Sequence, residues 1–228
     1  MGAAGGRLAD RTGPHLLALT LQSHAPITLL LLCITVLVSV LAFGNQRLFS
    51  ELLFEPFVIK ARGQWHRFVS HAFVHSGWPH LLVNMFVLYG FGQYVERELL
   101  LIAPGASVLA FASLYLGGIL FSSVAGYKRH MHDPNYRAVG ASGAVSSVLF
   151  AYILLTPRNE ISLVFFPQGL PAWVFGALYL AYSWYMDKRS QDNVAHDAHF
   201  YGAVFGIVFM IVIDPGIVGR FMQQLAGA

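Results

Sequence analysis

Six apolar blocks, each long enough or nearly long enough to cross a lipid bilayer, constrain the fold of this chain more than any other feature. They cover approximately residues 27–43, 68–95, 107–124, 139–156, 163–186 and 199–213. A membrane-spanning helix needs about 20 mainly apolar residues. Asp, Glu, Lys and Arg make up only 11% of the chain, against about 25% in soluble domains. We therefore predict an all-α membrane protein, a bundle of six transmembrane helices.

The blocks divide the chain into one membrane domain with two short tails. We predict an N-terminal tail over 1–25, a six-span domain over 26–215 and a C-terminal tail over 216–228. Charged residues interrupt the first segment, so we expect no cleavable signal peptide. Cys33 is the only cysteine, which excludes an intrachain disulfide. The basic residues are scattered, so we expect no nucleic-acid partner.

A serine opens the fourth block, in the string Gly140-Ala141-Ser142-Gly143. Strongly polar groups inside apolar segments are costly in lipid and are candidates for functional sites. A serine at a helix start lies beside unpaired N–H groups and the positive end of the helix dipole, which can stabilise an oxyanion. The alternative is a packing seam of small residues with Ser142 as N-cap, and the string alone favours that alternative.

A histidine opens the last block, where His199 is followed by Gly202 and Gly206. These spacings place the three residues on one helix face. A Gly-xxx-Gly face allows close contact with another helix that carries small residues. The helix of Ser142 fits that description, and the contact would bring the imidazole near the serine. Taken alone, His199 fits an interfacial histidine and a general base equally well.

The second block carries His75, His80 and Asn84. His80 and Asn84 are four residues apart and share a helix face. Both side chains can donate hydrogen bonds, and converging donors are what a tetrahedral intermediate needs. The alternative is an interhelical hydrogen-bonded pair. The three blocks together supply a nucleophile, a base and oxyanion donors.

These motifs, which extend from Trp65 to about Asp214, resemble those of the rhomboid family of intramembrane serine proteases. The resemblance implies that Ser142 is the nucleophile and His199 its general base, in a dyad without a carboxylate. It implies that His80 and Asn84 stabilise the oxyanion together with the Ser142 backbone N–H. It also implies supporting roles for a further set of residues: His75, Gly140, Gly143, Gly202, Gly206, Arg67 and Glu96.

The chain departs from the family pattern near the expected base. Some members have an aromatic residue four positions after the serine that packs on the catalytic histidine, and this chain has Ser146 there. The sequence leaves open what holds His199 instead. We expect His196 to be a solvated loop residue, with electrostatic tuning of the base as the alternative. A lateral gate is expected in the fifth block, formed by Trp173, Phe175 and Tyr179.

The resemblance implies an intramembrane serine endopeptidase that uses no cofactor and no metal and cleaves single-span membrane proteins within the lipid bilayer. We expect a multi-pass protein of a bacterial inner or plasma membrane, with both termini cytoplasmic. The distribution of basic residues alone would place the termini outside. One alternative is a catalytically inactive rhomboid-like membrane protein that binds client helices. Another is a metal-binding membrane protein that uses His71 and His75, although no His-Glu-x-x-His string supports it.

Overall fold

The computed structural model describes residues 25–163, 166–189 and 194–227, so the predicted N-terminal tail lies outside the described residues apart from Ala25. These ranges are mainly helical and include an antiparallel hairpin of β1 (Glu160–Leu163) and β2 (Phe166–Pro171). The helices are α1 (Pro26–Phe43), α2 (Gln46–Leu52), α3 (Pro56–Arg62), α4 (Arg67–Ser70), α5 (Trp78–Ile102), α6 (Ser107–His130), α7 (Ser142–Leu155), α8 (Ala172–Arg189), α9 (His196–Ile213) and α10 (Ile217–Ala226), with a 3₁₀ turn at His71–Phe73.

Six of these helices correspond to the six apolar blocks: α1, α5, α6, α7, α8 and α9. Among the described residues, α1, α6 and α9 are long and apolar enough to cross a membrane by length and composition, and α7 is a shorter apolar helix of 14 residues. At about 1.5 Å per residue α7 measures roughly 21 Å, less than the hydrocarbon core of about 30 Å. The serine-bearing helix is therefore too short to cross the whole core.

The predicted starts of two blocks are wrong. The second block was expected to begin near residue 68, but α5 begins at Trp78, with Pro79 in its first turn. Proline is tolerated there because first-turn N–H groups need no intrahelical partner. The fifth block was expected to begin near residue 163, but α8 begins at Ala172, directly after Pro171 at the end of the hairpin. In both places proline limits the helix, and average hydropathy does not register that limit.

The connection 44–64 between the first two predicted spans contains the two short helices α2 and α3. The side chain of Asn45 caps α2, since it accepts the N–H of Leu48 at 3.0 Å. Pro56 begins α3, and Gly63 ends it with a φ of 67°, a conformation that favours glycine. The mixed polarity of the segment gives no helical periodicity, so the two helices are recognised only by their capping residues.

Helix α7 lies in the middle of the bundle, packed against α5, α6 and α9, and ten of its 14 residues are buried. Glycines make the contact with α9 very close. A Cβ on Gly202 would lie 2.1 Å from the carbonyl oxygen of Gly143, and a Cβ on Gly206 would lie 2.2 Å from that of Ser147. The two backbones therefore touch over one helical turn. At the far end of α7, the Gln224 side chain from α10 donates to the Leu155 carbonyl at 3.2 Å.

A buried carboxylate on α5 caps the start of α1. Glu96 accepts the N–H groups of Ile27 at 2.9 Å and Thr28 at 2.8 Å, and also the Thr28 hydroxyl at 2.7 Å. Helix α1 has no capping side chain at its own N-cap residue, Ala25. A negative charge at a helix N-terminus is favourable and satisfies unpaired donors. Glu96 therefore joins the first two predicted spans at the start of α1.

We predict that Glu96→Gln lowers the free energy of unfolding by about 1–3 kcal/mol, because hydrogen bonds to a charged acceptor contribute about that much. The measurement is thermal or denaturant unfolding in detergent. Glu51→Gln is the matched control, since Glu51 is exposed and pairs only with Arg47 one turn away among the described ion pairs. Equal stabilities of the two variants would contradict the capping role.

Candidate active site

Ser142 is the first residue of α7, and the N-cap of the helix is Ala141, whose side chain makes no capping bond. The reading of Ser142 as N-cap therefore does not describe this helix. The N–H groups in the first turn of a helix have no intrahelical partners and lie at the positive end of its dipole. The hydroxyl of Ser142 thus projects from a backbone that can stabilise negative charge.

The segment before Ser142 is clamped by the chain between α1 and α5. Phe54 and Ala138 exchange two backbone hydrogen bonds of 2.9 and 3.0 Å, as in an antiparallel bridge. The N–H of Gly140 donates to the His71 carbonyl at 2.9 Å. The N–H of Ala141 donates to Nε2 of His75 at 3.4 Å. The N–H groups of Ala138, Gly140 and Ala141 are thereby used for positioning.

His75 connects this segment to α1. The hydroxyl of Ser39 donates to the Phe73 carbonyl at 2.9 Å and lies 2.9 Å from His75 Nδ1. Because that hydroxyl proton is already used, Nδ1–H donates to Ser39 and Nε2 is free to accept from Ala141. His75 lies in the connection before α5, outside the spanning helices, where burial lowers its pKa to about 3. The ring therefore stays neutral and keeps both bonds.

Gly140 is required for two independent reasons. Its φ of 110° is a conformation that side chains rarely adopt. A Cβ at this position would also lie 2.6 Å from Cε1 and 2.7 Å from Nε2 of His80. The His80 ring therefore lies directly against the backbone that leads into Ser142. On the other side of the ring, Nδ1 is 3.1 Å from the hydroxyl of Ser76.

Asn84 lies one turn after His80 on α5 and is buried. Its Nδ2 donates to the His80 carbonyl at 2.9 Å, which uses one of the two protons of the amide group. The structure thus places the His80 ring against the segment that precedes the serine and holds the Asn84 amide at the His80 carbonyl.

His199 lies in the first turn of α9, on the face that packs against α7. It lies one turn before Gly202, whose backbone contacts Gly143, the residue after Ser142. The His199 ring stacks on Tyr179 of α8, with ring centroids 6.1 Å apart and planes inclined by 29°. The expectation that His196 is solvated is wrong. His196 is the first residue of α9, is buried, and packs edge-on against the His199 ring at 5.8 Å.

Arg67 fixes the connection between α1 and α5 through hydrogen bonds to its backbone. Its Nη1 donates to the carbonyl groups of Ser50 and Leu53, at 2.9 and 2.6 Å, and it is 5% exposed. It also pairs with Glu55 at 3.3 Å, and Glu55 in turn accepts from Arg137 at 2.9 Å. The role of Glu55 was not predicted. Its only signal in the sequence is a carboxylate placed between Phe54 and Pro56.

A cavity of about 20 Å³ lies beside the serine and is lined by polar and small residues that include Ser142, Ser122, Tyr136 and Asp197. That volume holds about one water molecule. Burial raises the pKa of Tyr136, which lies in the connection between α6 and α7, so its phenol stays protonated and can donate. The site is thus polar and wide enough for water.

The metal alternative finds no support in these contacts. The described residues contain no group of three or more His, Cys, Asp and Glu side chains that could hold a metal ion. Nδ1 of His71 lies 3.0 Å from the Arg67 carbonyl, and both ring nitrogens of His75 bond to protein groups. These rings position the chain.

Fold and site together define an integral membrane protein in which a serine and a histidine lie in the first turns of two closely packed helices. A family model described as the Rhomboid domain matches residues 62–215. The chain therefore belongs to the rhomboid family, and the predicted rhomboid-like helical membrane bundle is confirmed. The matched range contains the whole set of predicted site residues, from Arg67 to Gly206.

Individual relatives agree with this assignment. Rhomboid protease GlpG of Yersinia pseudotuberculosis serotype I (strain IP32953) is 32% identical over 200 residues, which cover 83% of this chain and 63% of that protein. Rhomboid-related protein 1 of Caenorhabditis elegans is 29% identical over 177 residues, covering 74% and 46%. RHOMBOID-like protein 12, mitochondrial, of Arabidopsis thaliana is 27% identical over 165 residues, covering 68% and 48%. The chain thus spans between 46% and 63% of the length of these relatives.

We predict that Gly202→Ala destabilises the protein and lowers its activity, because the added methyl group would meet the Gly143 carbonyl at 2.1 Å. Such a contact forces α9 away from α7 and displaces His199 with it. Gly90→Ala is the matched control, since a Cβ there meets nothing within 4 Å and alanine favours a helix. Unfolding and substrate cleavage are measured for both variants. Equal behaviour would contradict the close contact.

Proposed function

We propose that this protein is an intramembrane serine endopeptidase in which Ser142 is the nucleophile and His199 the general base. The observation that carries the proposal is the contact of Gly202 with Gly143, which joins the two helix starts that bear these side chains. Membership of the rhomboid family and similarity to a relative named as a rhomboid protease support the same conclusion. No cofactor is needed for this chemistry.

The proposed reaction has two stages. The hydroxyl oxygen of Ser142 attacks the carbonyl carbon of the scissile peptide bond, while His199 accepts the hydroxyl proton. His199 then gives that proton to the leaving amine, and an acyl-enzyme remains. Water, activated by His199, attacks the ester carbonyl, releases the new carboxyl terminus and regenerates Ser142. The polar cavity beside Ser142 provides room for such a water molecule.

The oxyanion of each tetrahedral intermediate would lie at the start of α7. There it meets the first-turn N–H groups and the positive end of the helix dipole. The His80 ring lies against Gly140 with Nδ1 near the Ser76 hydroxyl. If Ser76 donates to Nδ1, His80 carries its proton on Nε2 and directs it toward the serine segment. The second amide proton of Asn84 completes the proposed set of donors.

The proposed substrates are single-span membrane proteins in the lipid bilayer. A transmembrane helix must unwind locally to present a peptide bond to Ser142, and each unsatisfied backbone group in hydrocarbon costs several kcal/mol. Helix-breaking residues in the substrate lower that cost. We also propose a multi-pass location in a bacterial inner or plasma membrane with cytoplasmic termini, and the domain limits of 26–215 remain a prediction.

The inactive alternative, a membrane protein that binds client helices without cleaving them, is favoured only by the absence of an aromatic residue at Ser146. An aromatic ring nevertheless lies on His199, because Tyr179 supplies it from α8. The feature that favoured the inactive alternative therefore no longer argues against a functioning base.

We predict that the purified protein cleaves a single-span model substrate with helix-breaking residues and reacts with a fluorophosphonate probe. Ser142→Ala should abolish both reactions while the helical circular dichroism spectrum stays unchanged. Ser162→Ala, an exposed serine on β1, is the matched control and should retain both activities. Cleavage by Ser142→Ala at the wild-type rate would refute the nucleophile. A wild-type protein that neither cleaves nor reacts would support the inactive alternative.

We predict that Asn84→Ala lowers kcat by about 10²-fold to 10³-fold, the effect of removing one oxyanion donor. KM should change little, because the donor acts mainly on charge that develops in the transition state. Asn135→Ala, at an exposed position in the connection after α6, is the control. Steady-state kinetics on the same model substrate measure both variants. An unchanged kcat in folded Asn84→Ala would remove this residue from the oxyanion site.

A further inference from the structure

Helices α7, α8 and α9 meet at a contact between Ser146, Tyr179 and His199. Ser146, one turn after Ser142 on α7, is 2% exposed. Its hydroxyl oxygen lies 2.6 Å from the phenolic oxygen of Tyr179 on α8, and either oxygen can donate the hydrogen bond. The ring of Tyr179 stacks on His199 of α9. A single side chain therefore touches both the helix of the proposed nucleophile and the proposed base.

Tyr179 is held in place from several directions. Its ring contacts Phe150 on α7, with centroids 5.6 Å apart, and Phe175 one turn earlier on α8, with centroids 6.1 Å apart. A half-buried tyrosine ring with an apolar body needs a partner for its hydroxyl, and Ser146 supplies it. The ring thus has an anchored polar end and a packed apolar face. Such a ring restricts the orientation of whatever stacks on it.

We infer that Tyr179 is a positioning residue: anchored by the Ser146 hydroxyl, its ring holds the His199 imidazole in the orientation from which it accepts the Ser142 proton. The inference rests on the proposed function. A dyad has no carboxylate to orient the histidine, so that task falls to other contacts. Ser146 is small enough to leave room for a ring that arrives from α8. Serine at 146 and tyrosine at 179 therefore act as a pair.

The pair is tested with Tyr179→Leu, Tyr179→Phe and Ser146→Ala, and with Tyr185→Leu as the matched control on the exposed face of the same helix. Tyr179→Leu should lower kcat by about 10-fold to 100-fold, part of the roughly 10²-fold to 10⁴-fold that a positioned general base contributes. KM should stay within about two-fold, since the ring acts on the base. Tyr179→Phe and Ser146→Ala keep the ring and should lose about two-fold to five-fold.

Fluorophosphonate labelling separates positioning from folding. A badly oriented base lowers the rate constant of labelling, while the final labelled fraction and the unfolding temperature stay near the wild-type values. A merely structural defect lowers the final fraction and the unfolding temperature instead. The double variant Ser146→Tyr with Tyr179→Ser offers a ring from α7 in place of the one from α8. This exchange should regain most of the kcat lost in Tyr179→Leu.

The outcomes are distinct. An unchanged kcat and labelling rate in Tyr179→Leu, with wild-type protein active, would overturn the inference and leave the proposed function intact. A loss confined to the labelled fraction and the unfolding temperature would also overturn it. A folded exchange variant that stays as slow as Tyr179→Leu would count against the pair. Wild-type protein that neither cleaves nor reacts with the probe would instead refute the proposed function.

Discussion

The site depends on the backbone contact between α7 and α9. Lipid tails are as apolar as the side chains they surround, so helices in a bilayer associate through close packing. Gly202 and Gly206 bring α9 onto the carbonyl groups of Gly143 and Ser147 at distances that no side chain could fit. The contact begins one residue after Ser142 and one turn after His199. Any shift of one helix against the other is therefore a shift of one proposed reacting group against the other.

A second constraint comes from outside the spanning helices. The extended segment before Ser142 takes its hydrogen bonds from the chain between α1 and α5, at Phe54, His71 and His75. This arrangement satisfies backbone groups that lipid cannot satisfy and leaves the first-turn donors of α7 for a ligand. Glu55 joins the same two segments through its ion pair with Arg137, and the buried Arg67 pairs with Glu55 from within its own segment. The connection between α1 and α5 thus fixes the position of the backbone that leads into Ser142.

Hydropathy located the starts of some spans well and those of others poorly. The first, third and last blocks match α1, α6 and α9 within a few residues at their starts. The second block included the short helix α4 and the 3₁₀ turn before α5, and the fifth block included most of the hairpin before α8. Short-range motifs also predicted the close packing of Gly202 and Gly206, and the roles of Ser142 and His199 stay a prediction. His196 was misjudged, because Tyr182 packs on its ring from another helix, α8.

The sequence by itself determined the class of protein, since apolar block length and the strings around Ser142 and His199 are local properties of the chain. It also determined which positions demand glycine, because their spacing falls on one helix face. Tertiary structure alone decided which aromatic ring lies on His199. Tyr179 reaches it from another helix, 20 positions away in the chain, and the hydrogen bond to Ser146 joins residues 33 positions apart. Such contacts depend on how α8 packs against α7 and α9, and the spacing of residues within one helix does not determine that packing.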